Sequence, residues 1–114
     1  RLGKNKSRLA QGLALQTALE EQLGENGVLL IPPYSRTAPR HRGTLATPFD
    51  FILTALFNAM EFPATIVPVG FDTNGMPIGV QVIAKRGNDH LTIAVAQQLE
   101  KEFGGWVRSQ PVEV

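Results

Sequence analysis

Hydrophobic positions along the chain predict three helices. In the first, four leucines fall mostly on one face, Ser7 can cap the start, and Gly24 and Gly27 follow the end. These leucines are Leu9, Leu13, Leu19 and Leu23. In the last, an apolar residue recurs at every fourth position after the capping residues 87–89 and before Gly104 and Gly105. These apolar residues are Leu91, Val95, Leu99 and Phe103.

The second helix is predicted from Thr47 and Pro48, a cap followed by a first-turn proline, with Asp50 near the positive end of the helix dipole. It is apolar on nearly all sides and should end before Pro63. A helix of this kind is expected to be buried.

Three further segments read as strands. Residues 28–31 form a short apolar run between Gly27 and Pro32, as a strand buried on both faces would. Residues 65–69 and 78–84 flank a turn at 72–77 and predict a hairpin. Between the first strand and the second helix, residues 32–47 show no period, which predicts a long irregular surface segment.

The order helix, strand, helix, hairpin, helix predicts an α/β fold with a mixed sheet covered by helices. The 114 residues suffice for one structural unit, residues 1–114. Three strands are few for so much apolar helix surface, so we expect further strands from other polypeptide. The chain also opens at Arg1, inside the approach to a helix, which favours a piece of a longer protein.

Composition narrows the classes of function. A formal charge of +1 gives no long-range electrostatic attraction for nucleic acid, so no nucleic-acid partner is expected. No Cys is present, which excludes disulfides and thiolate metal sites and suits an intracellular protein. No apolar run approaches the roughly 20 residues that cross a bilayer. We therefore expect a cytoplasmic protein.

Few residues suggest chemistry of their own. Ser35, His41 and Asp50 lie in or beside the long loop, but their spacing does not force them into a triad, and solvated loop residues are the favoured interpretation. His41 and His90 have no neighbouring carboxylates at metal-ligand spacing, so no metal site is predicted. Three arginines beside His41 could meet a carboxylate or a lipid headgroup, although a solvated loop is favoured. They are Arg36, Arg40 and Arg42.

Residues 62–84 contain more proline and glycine than is usual for strands. Proline interrupts sheet ladders and glycine leaves room for another backbone, so this hairpin is expected to border a cleft. The residues concerned are Pro63, Pro68, Gly70, Gly75, Pro77 and Gly79, followed by Gln81.

These same residues resemble the amidase signature family. The match consists of Asn58, then residues 62–64, a Pro-Val-Gly strand at 68–71, and Gly-Met-Pro-Ile-Gly-Val-Gln at 75–81. The ending from Asn88 to Trp106 resembles the fatty-acid amide hydrolase 2-like branch of that family. The resemblance runs from about residue 27 to residue 106.

The resemblance implies a fold and a reaction, and it implies that the catalytic residues lie outside this chain. Its fold is an α/β/α sandwich around a large mixed sheet, and its members hydrolyse carboxylic amides through two serines and a lysine in a Gly/Ser-rich region that has no counterpart here. We therefore assign no catalytic residue, no metal and no cofactor to this chain. The resemblance further implies that the chain is the C-terminal part of an amidase, inactive alone, whose full-length form takes a small-molecule amide such as a fatty-acid amide.

The resemblance also implies substrate-binding residues on the second helix: Phe51, Thr54 and Asn58. With the loop at 32–47, this helix would line the acyl side of the substrate channel. Relatives acting on glutamine-linked substrates carry an acid near the helix start. Phe51 matches that position, although a shift of one residue would make it Asp50.

Two other interpretations remain open. One is a free-standing, non-catalytic binding or oligomerisation module that uses an exposed sheet edge to pair with a partner. The same edge could also support a homo-oligomer. The other is a catalytically inert subunit of an amidotransferase-like complex. For the full-length protein, peripheral membrane association is compatible with the cytoplasmic expectation.

Overall fold

The computed structural model describes residues 2–47 and 49–108. The chain forms α1 (Leu2–Leu23), β1 (Val28–Ile31), α2 (Ile52–Ala59), β2 (Ala64–Phe71), β3 (Pro77–Ala84) and α3 (Asp89–Phe103), with one 3-10 turn at Gly43–Ala46. The α/β class and the prediction of three main helices and three strands are confirmed. None of the helices described is long and apolar enough to cross a membrane.

The strands form one sheet in the order β1-β3-β2. Both pairs are antiparallel, with Val28 opposite Ala84 and Ala64 opposite Ile83. A register shift at Pro68/Gly70 marks a bulge in β2, where proline cannot donate to the ladder. The described strands therefore make an antiparallel sheet, and the mixed sheet of the resemblance would need parallel strands from other segments.

Helices cover the sheet on both faces because alternate residues of each strand point to opposite sides. On one face, Val67 and Val82 pack against Ala96 of α3. On the other, Ile83 packs with Phe57 of α2, and the end of α1 joins this cluster through Leu19 and Leu23. The segment thus has the three layers of an α/β/α sandwich.

The hairpin forms as predicted. The Asp72 carboxylate accepts hydrogen bonds from the backbone N–H groups of Asn74 at 2.8 Å and Met76 at 2.9 Å, and Gly75 takes a positive φ of 75°. These bonds, chiefly that from Met76, hold the pKa of Asp72 below its ordinary value. The predicted strand β1 also forms, but Leu30 is exposed, so the expectation of burial on both faces is wrong.

The predicted start of α1 is wrong. The helix already runs from Leu2, and Ser7 lies exposed inside it. No proline interrupts residues 2–6, so the backbone amides near Ser7 bond within the helix and leave the Ser7 hydroxyl nothing to cap.

The predicted start of α2 is also wrong, while its end before Pro63 is confirmed. The helix begins at Ile52 with Phe51 at the cap position and no side-chain cap bond. Residues 49–51 form turns instead, with the Asp50 N–H donating to the Thr47 carbonyl at 3.2 Å. Pro48, the predicted first-turn proline, lies outside the described residues.

The predicted burial of α2 and the predicted cap of α3 need correction as well. The predicted burial of α2 is wrong, because Ile52 and Leu56 are exposed and only the side of Phe57 faces the core. The predicted end of α3 is confirmed by Gly104 in the left-handed conformation, but its cap is not. The Asn88 side chain donates instead to the Glu25 carbonyl at 2.7 Å.

The apolar face of α3 is shifted from the predicted one. Thr92 and Ala96 are its buried residues, whereas Phe103 is exposed. Leu91, Val95 and Leu99 are half-buried beside them. The small residues occupy the centre of the contact because they let the helix approach the sheet closely.

Candidate functional site

Helix α2 presents the predicted substrate-binding residues on the side away from the sheet. At 3.6 residues per turn, Phe51 and Asn58 lie about 20° apart around the helix, roughly opposite to the buried Met60 and about 100–120° from the buried Phe57. Thr54 lies between them and Phe57. Phe51 and Asn58 are exposed, whereas Thr54 is half-buried. The structure therefore brings all three to one accessible side of the helix.

The three side chains offer different chemistry. The Thr54 hydroxyl donates to the Phe51 carbonyl at 2.8 Å, which leaves its oxygen lone pairs as acceptors. Asn58 can both donate and accept through its amide. Phe51 adds an aromatic surface with no charge. Together they form an apolar surface with two polar groups, a usual composition for a small-molecule site.

Two buried glutamines contact the inner side of α2. Gln16 of α1 donates through Nε2 to the Met60 carbonyl at 2.6 Å, and Gln81 of β3 donates to the Leu53 carbonyl at 3.4 Å. Phe57 and Phe62 add an edge-to-face contact with ring centroids 6.2 Å apart. Sequence reasoning noticed Gln81 only within a motif and missed Gln16, because a glutamine in a polar helix gives no sign of burial.

The loop before α2 is tied to it by an ion pair. Arg36 donates from one terminal nitrogen to Oδ1 of Asp50 at 3.2 Å, and its Nε lies 2.8 Å from Oδ2, out of line for a good hydrogen bond. The Asp50 side chain is only 12% exposed. The acid adjacent to Phe51 is therefore already neutralised by a residue of this chain.

Burial alone would raise the pKa of Asp50. The adjacent hydroxyls of Thr47 and Ser35 and the guanidinium of Arg36 together outweigh that effect, so the pKa lies below its ordinary value. Asp50 consequently stays ionised at neutral pH and holds Arg36 in place.

An open apolar cavity of about 720 Å³ lies between the loop and the start of β3. On the side of the strand it is closed by Pro77, Ile78 and Gly79, so the prediction that the hairpin borders a cleft is confirmed. The loop supplies the rest: Pro32, Pro33, Tyr34, Arg36, Thr37, Ala38, Pro39 and Thr44. Its size is that of a typical ligand pocket.

The other candidate residues do not assemble into a catalytic group. Ser35 lies beside Asp50, and His41 is an exposed residue of the same loop. Within residues 2–47 and 49–108, neither His41 nor His90 has a side-chain hydrogen bond to a hydroxyl or a carboxylate, so no serine–histidine pair forms there. In the same described part of the chain, no three His, Cys, Asp or Glu residues come together as metal ligands.

Comparison with known proteins places these features in a family context. The family model described as Amidase matches residues 5–93. Fatty-acid amide hydrolase 2 of Homo sapiens is 48% identical over 94 residues, which cover 82% of this chain and 18% of that protein. Fatty-acid amide hydrolase 2-A of Danio rerio is 44% identical over 98 residues, 86% of this chain and 18% of the relative.

A less similar relative has a different name. The 6-aminohexanoate-cyclic-dimer hydrolase of Pseudomonas sp. (strain NK87) is 32% identical over 100 residues, 87% of this chain and 20% of that protein. No solved structure matches the chain. The chain thus spans about a fifth of the length of the curated relatives it matches.

Proposed function

Since the chain belongs to the amidase family, we propose that it forms one wall of the substrate site in an enzyme that hydrolyses a carboxylic amide. The observation that carries the proposal is the accessible side of α2, where Phe51, Thr54 and Asn58 lie together on a helix whose other side is fixed to the core. In this proposal residues 1–114 are the C-terminal segment of a larger amidase domain.

The chemistry of this wall suits an apolar acyl group. Phe51 offers an aromatic surface, and the adjacent Asp50 is paired with Arg36 and so has no charge free for a substrate amine. Placing an unpaired ammonium against such a surface would cost about 2 kcal/mol or more. The names of the fatty-acid amide hydrolase 2 relatives agree with this preference.

The cavity beside the loop extends the same apolar surface. Arg36 belongs both to its wall and to the ion pair with Asp50, so the cavity and the start of α2 are joined through one side chain. We place the remote part of the acyl chain in this cavity and the amide end near α2. The reacting serines and lysine implied by the family resemblance would belong to polypeptide outside this chain.

The test compares two exposed phenylalanines in the full-length protein. Phe51 and Phe103 are each 55% exposed, but Phe103 lies on α3, across the sheet from α2. Phe51→Asp should raise KM for a long-chain fatty amide by about tenfold or more, because an acyl group would then face an unpaired carboxylate. Phe103→Asp, the matched control, should leave KM near the wild-type value in steady-state kinetics.

Equal KM values for the two variants would contradict the proposed site, and a full-length protein that hydrolyses no amide would contradict the proposed activity. Residues 1–114 alone should turn over no fatty amide. Turnover by that fragment, abolished by Ser35→Ala, would place the nucleophile within this chain instead.

The alternative is a binding module that pairs through its sheet edges. In the described part of the chain, β1 and β2 each pair with β3 alone, so each has one edge that no described strand covers. Gel filtration of residues 1–114 separates the two proposals. A stable monomer favours the module, whereas dimers or aggregates favour an incomplete amidase domain.

A further inference from the structure

Helix α2 is too short to be stable in isolation. It contains eight residues and has no side-chain cap at its start. An isolated helix of this length is unstable in water, so its orientation must come from contacts with the rest of the molecule. Any surface that α2 presents depends on those contacts.

One contact fixes the C-terminal end. Met60 follows the last helical residue, and its carbonyl has no partner within the helix. Gln16 supplies that partner from α1 at 2.6 Å, and the Gln16 side chain is buried, with the residue only 8% exposed. This bond joins residues far apart in sequence and has no access to competing water.

A second contact fixes the first turn. Gln81 points from β3 towards α2 and donates to the Leu53 carbonyl at 3.4 Å. Gln81 is 1% exposed, so its amide has been moved fully out of water. A buried amide costs free energy unless it is hydrogen-bonded, and an apolar residue would fill this place without that cost.

From this geometry we infer that Gln16 and Gln81 are positioning residues for substrate binding. They hold two carbonyls on the inner side of α2, one near each end, and so set the rotation of the helix about its axis. That rotation decides where Phe51, Thr54 and Asn58 point on the outer side. The inference rests on the proposed function, because it assigns the two amides to the same site.

The experiment removes each amide and keeps the side-chain length, in the full-length protein with a long-chain fatty amide as substrate. Gln16→Met should raise KM about five- to tenfold, the loss expected for one buried hydrogen bond. Gln81→Met removes a longer and weaker bond and should raise KM about two- to fivefold, and both variants should leave kcat nearly unchanged. The matched control is Gln98→Met. Gln98 is exposed on α3, where it donates to Glu102, and its replacement should leave both constants unchanged.

Hydrogen exchange supplies a readout that does not depend on activity. In the two variants, amides of residues 52–62 should exchange faster than in the wild type, while those of α3 keep their wild-type rates. Because Gln16 lies at the rim of the core, Gln16→Met retains a folded protein for the test even if Gln81→Met does not accumulate.

Three outcomes distinguish the positioning role of the glutamines from the proposed substrate site. Wild-type KM and wild-type exchange in folded Gln16→Met would overturn the inference and leave the proposed function standing. Faster exchange in α2 with unchanged KM would show that α2 is held by Gln16 but does not bind substrate, which overturns the role assigned here. A KM unchanged by Phe51→Asp, in an enzyme that hydrolyses amides, would instead refute the proposed site itself.

Discussion

At the scale of single residues, Asp50 shows how a side chain with one expected role takes another. The sequence places it where an acid would favour a helix start, yet its carboxylate turns to Arg36 in the preceding loop. The helix then begins later, at Ile52, without a side-chain cap. The ion pair thus serves the connection between loop and helix rather than the helix itself.

The lowered pKa of Asp50 predicts a pH dependence. Because the pKa is lower in the folded than in the unfolded chain, ionised Asp50 stabilises the fold above its unfolded pKa of about 4, and this contribution is lost as pH falls through the lower folded value. Asp50→Asn should therefore lower the urea midpoint at pH 7, and the difference from the wild type should shrink below about pH 4.

Asp89→Asn is the control for this prediction, since it makes the same exchange at an exposed position in the first turn of α3. A difference between wild type and Asp50→Asn that stays constant from pH 7 down to about pH 2 would show that the carboxylate charge contributes nothing.

At the level of elements, periodicity and turn chemistry identified the three α-helices and three strands that the structure describes, but they predicted the buried sides only in part. The hairpin was the clearest case, since Asn74 and Gly75 favour its turn directly. The starts of α1 and α2 were predicted wrongly, because the residues before Ser7 continue the helix and because the Asp50 carboxylate pairs with Arg36.

The candidate site was predictable only in part. Phe51, Thr54 and Asn58 followed from the family resemblance, and the structure places them on one side of α2. The contacts that orient this helix were not visible, because the bond from Gln16 to Met60 joins distant residues with no shared motif. The exposure of Ile52 and Leu56 was missed because an apolar pattern does not reveal whether a side of the helix faces the core of this chain.

The close approach of β2 and β3 at Gly79 leads to a prediction about stability. A Cβ on Gly79 would lie 3.1 Å from the Val67 carbonyl oxygen, which belongs to the paired strand. Gly79→Ala should lower the free energy of unfolding by about 1 kcal/mol or more, because backbone must move. Gly12→Ala meets nothing within 4 Å and should be neutral or stabilise by about 0.5–1 kcal/mol.

Urea denaturation of both variants measures these changes, with Gly12→Ala as the control for adding a methyl group. A Gly79→Ala protein as stable as the wild type would mean that β2 and β3 separate slightly at little cost, and that this glycine is not required for their close approach.

At the scale of the whole molecule, the segment is a flat body of 55 × 36 × 17 Å. Surface ion pairs join the end of α1 to the connection after β3, with Arg86 Nε 2.6 Å from Glu20 and Lys85 contacting Glu25. Apolar side chains remain exposed on several sides, among them Leu13, Ile66 and Phe51. A thin body with several apolar faces is what the proposed place in a larger domain requires.

The strand order has a consequence for the time course of folding. β2, β3 and α3 follow one another along the chain and can assemble locally, whereas β1 must wait for β3, since Val28 pairs with Ala84. Val28→Ala should then speed unfolding and leave refolding unchanged, while Val67→Ala, in the same cluster, should slow refolding in stopped-flow measurements. On the ribosome, β1 emerges before β3 has been synthesised, so its backbone hydrogen-bonding groups have no partner strand until β3 follows.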